Sequence, residues 1–260
     1  MRYAIEVENM TFSYDGIPVL EEINFKLPEG EFMALLGPNG GGKTTLVKLL
    51  LGIYKPYSGK IKILGSSPED AYGRIGYLPQ DAASHSSFPI TVYDAAKLGR
   101  HGRIPRGRGL SQKDKEIVRQ KLELVEMWNN RHKRIGDLSG GQRQRVMIAR
   151  ALAVEPEILF FDEPTSSVDS SGQEKLNDLL KELNRDMTIV VITHDVTAIS
   201  RHITSIACVN RKLHYHSAPE LTSDMVKLAY GETVDGTCPV ELLAHGIPHR
   251  VLPKHGDEGE

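Results

Sequence analysis

The chain has 260 residues, of which 40% are hydrophobic and 25% charged, and its formal net charge is −2. These values are typical of a folded globular protein and exclude a disordered or fibrous chain. The near-neutral balance provides no broad basic field, so we expect no nucleic-acid partner. Cys208 and Cys238 are the only cysteines. They are too few for a disulfide scaffold, which favours a reducing cytoplasmic setting.

The first predicted elements are strands that alternate apolar and polar residues. Such runs occur around Ile5 to Phe12, Val19 to Leu27 and Lys60 to Leu64, with turn residues between them. They predict an antiparallel sheet. The N-terminus has no apolar core of the signal-peptide type, and the apolar runs are far shorter than the ~20 residues that cross a bilayer. We therefore expect any membrane role to depend on a partner.

Two later runs, residues 32–36 and 158–161, are apolar throughout. Continuous apolar strands are typical of a parallel sheet covered on both faces, with functional groups at the carboxyl ends. Between Thr91 and Glu155 the apolar spacing becomes helical, most clearly over residues 112–127. The sequence therefore predicts an α/β fold with a parallel sheet, an antiparallel β subdomain and an inserted helical subdomain.

A phosphate-binding motif follows the first apolar run. The pattern G-x-x-x-x-G-K-[ST] is spelled by Gly37-Pro38-Asn39-Gly40-Gly41-Gly42-Lys43-Thr44. Glycines in such a loop let backbone amides converge on phosphate oxygens at a helix N-terminus, where the helix dipole also favours an anion. We expect Lys43 to reach the β- and γ-phosphates of a nucleoside triphosphate and Thr44 to ligate Mg²⁺.

Two acidic residues follow the second apolar run. Asp162 and Glu163 stand at the predicted strand end, where an ordinary solvated loop start is the alternative. Beside a phosphate loop, Asp162 is suited to organise Mg²⁺ through water. Glu163 is suited to act as the general base for the attacking water, because a carboxylate that does not ligate the metal can accept a proton.

The segment Leu138-Ser139-Gly140-Gly141-Gln142-Arg143-Gln144 resembles the signature motif of ATP-binding cassette (ABC) ATPases. Other marks of that family stand in the same order: an aromatic residue at Tyr14, a Q-loop glutamine at Gln80, a D-loop aspartate at Asp169 and a switch histidine at His194. The resemblance covers residues 1–231. It implies an ATPase domain at 1–230, with a helical subdomain at about 81–155 that carries the signature.

The resemblance implies ATP as ligand, Mg²⁺ as cofactor and a role for each motif. Tyr14 would stack on adenine, His194 would contact the γ-phosphate, and Gln80 would sense Mg²⁺ together with Thr44 and Asp162. The implied catalytic residues are Glu163, His194 and Gln80. The implied nucleotide-binding residues are Tyr14, Gly37, Asn39, Gly40, Gly41, Gly42, Lys43, Thr44 and Thr45.

The signature implies a second subunit. In this family the signature of one subunit covers the ATP that another subunit holds, so one cassette per chain implies a head-to-tail homodimer. The residues involved here are Ser139, Gly140, Gly141 and Gln142, with Asp169 in the D-loop.

A cassette without membrane spans resembles the ATPase subunit of an importer at the cytoplasmic face of the membrane. Its partners would be integral permease subunits and, indirectly, an extracytoplasmic substrate-binding protein. The local sequence is most similar to ATPases of zinc, manganese or iron importers. Ferric-siderophore or cobalamin import, or a soluble ABC role outside transport, are the alternatives. The basic residues from Arg100 to Arg108 could dock the permease, contact acidic lipid headgroups or form a solvated, mobile surface.

The sequence predicts a separate C-terminal tail at residues 231–260. It contains four side chains that can bind a borderline-soft cation such as Zn²⁺, namely Cys238, His245, His249 and His255. They could form a regulatory metal sensor. The alternative is a docking tail with incidental histidines, because Gly246 and Pro248 interrupt a helical pairing of His245 with His249.

Overall fold

The computed structural model describes residues 2–80, 89–104, 109–163, 170–193 and 202–218. In this part of the chain the strands are β1 (Tyr3–Tyr14), β2 (Ile17–Pro28), β3 (Phe32–Leu36), β4 (Ser58–Ile63), β5 (Ile75–Leu78), β6 (Ile158–Asp162), β7 (Thr188–Ile192), β8 (Ser205–Asn210) and β9 (Lys212–His216). The α-helices are α1 (Lys43–Leu50), α2 (Pro68–Ala71), α3 (Val92–Lys97), α4 (Gln112–Leu124), α5 (Gly140–Ala153) and α6 (Ser170–Leu183). None of these helices combines the length and apolar character that a membrane crossing requires.

The alternating N-terminal strands form the predicted antiparallel sheet. Its order is β2-β1-β4, so β1 is the central strand. Glu6 lies opposite Lys26 on one side and Lys62 on the other, whereas the neighbouring Val7 is buried. This alternation buries one face of the sheet and leaves charged pairs on the other.

The two continuous apolar runs become β3 and β6 of a six-stranded sheet, as predicted. Its order is β5-β6-β7-β3-β8-β9, and every pairing is parallel except that of β9 with β8. All residues of β3 and β6 are buried because both faces of the sheet are covered. On one face α1 lies between the two sheets, with Leu46 and Leu50 in their shared core. This arrangement places the N-terminus of α1 at the carboxyl end of β3.

The predicted helical segment packs on the opposite face of the parallel sheet. Val92 of α3, Val118 of α4 and Val146 of α5 lie in one core with Phe161 of β6. Serine side chains begin two of the helices: Ser111 and Ser139 each accept a hydrogen bond from the backbone three residues on, in capping boxes. The helical region therefore has its own apolar packing and well-defined helix starts.

The structure corrects the prediction for the start of the basic segment. Residues Leu98–Arg103 form a 3-10 helix, and Arg100 is only 5% exposed. Its guanidinium contacts Asp114 at 2.8 Å and Glu155 at 2.9 Å. Arg100 therefore has a structural role and is neither a docking residue nor part of a solvated surface. Residues 105–108 lie outside the described part of the chain.

Candidate nucleotide-binding site

The phosphate loop joins the end of β3 to the start of α1 and is bent by glycines. Gly37, Gly40 and Gly42 have φ angles of 152°, 79° and 100°, a region that side-chain-bearing residues rarely adopt. A Cβ on Gly37 would collide with the backbone carbonyl of Val209, and one on Gly42 would lie 2.7 Å from Leu20 Cδ2. The loop therefore needs glycine for both its bend and its close packing, and it leads into a helix N-terminus that favours an anion.

Lys43 is the first residue of α1, and its side chain folds back over the loop. Its Nζ donates hydrogen bonds to the carbonyl oxygens of Gly37, at 2.7 Å, and Pro38, at 3.0 Å. Burial lowers the pKa of Lys43, while the charges of Glu163 and Asp162 act in the opposite direction. The lysine therefore lies within the electrostatic field of both strand-end carboxylates. A phosphate would offer its ammonium a charged acceptor, which forms a stronger hydrogen bond than a carbonyl does.

The remaining predicted nucleotide-binding residues surround the same helix start. Thr44 is exposed and Thr45 half-buried on the first turn of α1, and Asn39 is exposed on the loop. The Tyr14 hydroxyl lies 3.5 Å from Thr45 Oγ1, and the tyrosine is 41% exposed. The structure thus brings Tyr14 beside the phosphate loop with part of its ring open to a ligand.

Asp162 ends β6 and is buried, with 5% exposure. The Tyr77 hydroxyl donates a hydrogen bond to Asp162 Oδ2 at 3.4 Å. Burial raises the pKa of Tyr77, and the negative charge of Asp162 raises it further, so the phenol stays neutral and acts as a donor. Asp162 is thereby held at the sheet edge by a residue of the neighbouring strand β5.

Glu163 follows Asp162 and turns away from the strand. Its φ of 47° lies in the left-handed region, and its amide donates to the carbonyl of Ile192 at 2.8 Å. Its side chain accepts a hydrogen bond from Gln80, with 2.8 Å between Nε2 and Oε2. The strand ends of β5 and β6 thus bring together two residues that the sequence separates by 83 positions.

The donor set around the loop fits Mg²⁺. This ion prefers oxygen ligands, and the hydroxyl of Thr44, the carboxylate of Asp162 and the side-chain amide of Gln80 all provide them. Among the described residues, no cluster of three or more His, Cys, Asp or Glu side chains could hold a metal by itself. A Mg²⁺ ion here would therefore depend on phosphate oxygens and water as additional ligands.

The signature residues lie at the N-terminus of α5. Ser139 Oγ accepts a hydrogen bond from the Gln142 amide at 3.3 Å, and Gln142 Oε1 accepts one from the Ser139 amide at 3.1 Å. A groove of about 900 Å³ runs beside them between the end of α4, α5 and α6. The residues that line this groove include Ser139, Gly141 and Gln142 but no residue of the phosphate loop. Within one chain, the helix N-terminus at the signature therefore opens into a groove that is separate from the phosphate loop.

Several predicted residues lie outside the described part of the chain. They are Asp169 and His194, together with the four tail residues Cys238, His245, His249 and His255. Tyr77, by contrast, was missed by the sequence analysis although it contacts Asp162. Its position could have been predicted only from the register of β5 on β6, which pairs Leu78 with Phe161.

Comparison with known proteins identifies the family. The family model described as ABC transporter matches residues 20–166. The chain belongs to the ABC transporter family. It is 40% identical over 218 residues to the zinc uptake system ATP-binding protein ZurA of Listeria monocytogenes, which covers 82% of this chain and 85% of that protein.

Two further ABC relatives agree with this assignment. The manganese transport system ATP-binding protein MntB of Halalkalibacterium halodurans is 36% identical over 233 residues, which cover 88% of this chain and 93% of that protein. A solved structure described as a metal-chelate type ABC transporter in an inward-facing conformation is 32% identical, with a TM-score of 0.77. It covers 88% of this chain and 89% of that one. Sequence and fold therefore place almost the whole described chain within the ABC ATPases.

Proposed function

We propose that this chain is the ATP-hydrolysing subunit of a transition-metal importer and acts through a separate membrane permease. The observation that supports this most strongly is the meeting of Lys43, Asp162 and Glu163 at one edge of the parallel sheet, in a chain of the ABC transporter family. The names of the relatives, which include zinc and manganese transport systems, support a metal cargo.

The residues of the site account for the hydrolytic step. The oxygen of a water molecule attacks the γ-phosphorus while the bond from phosphorus to the ADP oxygen breaks. We assign Glu163 as the base that accepts the proton of this water, and Lys43 as the cation that offsets charge on the phosphates. Gln80 donates a hydrogen bond to one oxygen of this carboxylate, Oε2, and thereby orients the base.

The remaining assignments support the same reaction. We assign Mg²⁺ to Thr44, Asp162 and Gln80, where the bound ion would neutralise phosphate charge. Tyr14 would stack on adenine, since its ring is 41% exposed beside α1. The family resemblance adds His194 at the γ-phosphate and Asp169 between subunits.

We propose a head-to-tail homodimer as the working form. The N-terminus of α5 would cover the phosphates that the other subunit holds at the N-terminus of α1, because both helix ends favour anions. Integral permease subunits would hold this dimer at the cytoplasmic face, and an extracytoplasmic binding protein would deliver the metal to them.

Cellular metal content tests the proposal. Cells with limiting metals would express the native chain, Glu163→Gln or the control Glu123→Gln, an exposed residue on α4. Elemental mass spectrometry would then measure Zn, Mn, Fe and Co together. We expect Glu163→Gln to lower one metal selectively and Glu123→Gln to leave all four unchanged.

Purified protein separates the reaction from the cargo. Removal of a general base costs about 10²- to 10⁴-fold, so Glu163→Gln should lose at least a hundredfold in ATPase rate while still binding ATP. A high turnover rate in this variant would refute the base role. Loss of ATPase without a change in any of the four metals would instead favour an ABC role outside metal transport, because elemental mass spectrometry counts these metals whether they enter free or as a chelate.

A further inference from the structure

Three aromatic rings meet where β1 ends near the phosphate loop. Phe12 and Tyr54 are stacked, with centroids 5.6 Å apart and ring planes inclined by 14°. The Tyr14 ring is perpendicular to both, at 4.9 Å from Phe12 and 5.7 Å from Tyr54. Edge-to-face contacts of this kind contribute about 0.5–1.5 kcal/mol each beyond simple burial. Two such contacts therefore constrain the orientation of Tyr14.

Tyr54 is itself fixed by the helix that begins at the phosphate loop. It lies in the connection after α1, and its amide donates to the carbonyl of Lys48 at 3.2 Å. The ammonium of Lys48 lies 5.5 Å from the centroid of the Tyr54 ring. Three residues further on, the Tyr57 amide donates to the carbonyl of Thr11 on β1 at 2.9 Å. The connection is thus tied both to α1 and to the strand that carries Tyr14.

An exposed tyrosine normally samples several rotamers, and binding a ligand to one of them costs conformational entropy. Tyr14 is 41% exposed, yet its ring contacts Phe12 and Tyr54 and its hydroxyl lies 3.5 Å from Thr45 Oγ1. These contacts come from three different elements. The ring is therefore held in one orientation while part of its surface stays open.

We propose that Tyr54 is a positioning residue for the nucleotide base. It holds the Tyr14 ring in the orientation that stacks on adenine, and Lys48 links this arrangement to the phosphate-binding helix. The inference rests on the proposed role of Tyr14 and adds a residue that contacts neither the phosphates nor the base.

Two ligands test the proposal, because only one of them has a base. ATP and inorganic triphosphate would be titrated, each with Mg²⁺, into the native chain, Tyr54→Leu, Tyr54→Phe and the control Tyr57→Leu, whose native side chain is 84% exposed on the same connection. Loss of one ring contact predicts about a 2- to 12-fold weaker affinity of Tyr54→Leu for ATP. Its affinity for triphosphate should stay unchanged, and so should both affinities of Tyr54→Phe and Tyr57→Leu. In ATPase assays the KM of Tyr54→Leu should rise while kcat stays the same.

A double-mutant cycle checks that Tyr54 acts through Tyr14. Tyr14→Leu combined with Tyr54→Leu should bind ATP as Tyr14→Leu alone does. An equal loss for ATP and triphosphate in Tyr54→Leu would overturn the inference, since it would indicate a general disturbance of the loop. Additive effects in the cycle would overturn it as well. If Tyr14→Leu weakens ATP but Tyr54→Leu does not, only the positioning role fails, whereas an unchanged affinity in Tyr14→Leu removes the base-stacking role itself.

Discussion

Tyr77 restricts a carboxylate that the sequence motifs identify but do not orient. Its hydroxyl contacts one oxygen of Asp162, and its raised pKa keeps it a hydrogen-bond donor. Groups that hydrogen-bond to a metal-organising side chain fix its rotation and influence metal affinity. Tyr77 would therefore support the proposed Mg²⁺ site without being a ligand.

We predict that Tyr77→Phe raises the Mg²⁺ concentration for half-maximal ATPase activity by about tenfold, the lower end of the effect typical for such partners. The low value reflects the long 3.4 Å contact. ATP binding in the presence of a chelator should stay unchanged, because the phenylalanine keeps the ring in place. Tyr93→Phe, on α3, is the matched control. An unchanged Mg²⁺ requirement in Tyr77→Phe would contradict the role given to the hydroxyl.

The sequence predicts a residue of the candidate site when its motif is local, and it fails when the residue's contacts depend on distant elements. Lys43 follows the loop glycines directly, and Asp162 and Glu163 end an apolar run, so their meeting could be expected from the rule on strand ends. Tyr54 and Tyr77 stand in no such pattern. Their positions depend on the connection after α1 and on the register of β5 with β6, which propensity does not determine.

The 3-10 helix Leu98–Arg103 shows the same limit for an entire element. Arg100 donates to Asp114, Glu155 and the carbonyl of Ala153, at sequence separations of 14, 55 and 53 residues. A run of arginines and glycines gives no local signal of these partners, so its composition left permease docking, lipid contact and a solvated, mobile surface as the expected roles. By contrast, the capping boxes at Ser111 and Ser139 have partners only three residues away and follow a recognisable pattern. The buried strands β3 and β6 could be predicted because their signal, a continuous apolar run, is also local.

We predict that Arg100→Met lowers the free energy of unfolding by about 3 kcal/mol, because it removes a charged donor from Asp114 and from the buried carbonyl of Ala153. Arg145→Met is the control, since its pair with Glu126 is exposed and should contribute under about 1 kcal/mol. Urea titration measures both.

Hydrogen bonds from Ser111, with a further contribution from Arg100, lower the pKa of Asp114 below 3.8. The stability gained from the lowered pKa of Asp114 is present above its ordinary pKa and lost as pH falls through the folded one. Arg100→Met should therefore reduce the loss of stability at acid pH only in part, because the hydrogen bonds from Ser111 remain.

The two helix N-termini of one chain that favour anions, those of α1 and α5, face different surroundings. The N-terminus of α1 carries the phosphate loop with Lys43, whereas that of α5 opens into the groove between α4, α5 and α6. If the working form is a head-to-tail dimer, each ATP uses the loop of one chain and the signature of the other. The two kinds of residue are then separable by mutation.

We predict that two inactive variants restore each other when mixed. Lys43→Ala removes the loop cation. Gly141→Asp places a negative charge at the signature, where a Cβ meets nothing within 4 Å and an acidic side chain suits a helix N-terminus, so the variant should fold. Each variant alone has no intact site. Random mixing of equal amounts should recover about a quarter of native ATPase activity, because half of the dimers are mixed and each has one intact site of two.

In a shared site, the loop half comes from one chain and the signature half from the other. Two variants should therefore restore each other only when their substitutions affect different halves. Glu163→Gln belongs to the loop half, so it should be complemented by Gly141→Asp but not by Lys43→Ala. This pattern discriminates between a site shared by two chains and a site formed within one chain. If each site used the loop and the signature of the same chain, mixing two inactive variants could not restore activity. Purification on two different tags would isolate the mixed dimers before the assay. If these dimers form but remain inactive, the shared site is refuted; if Lys43→Ala and Glu163→Gln complement each other, the division into halves is wrong.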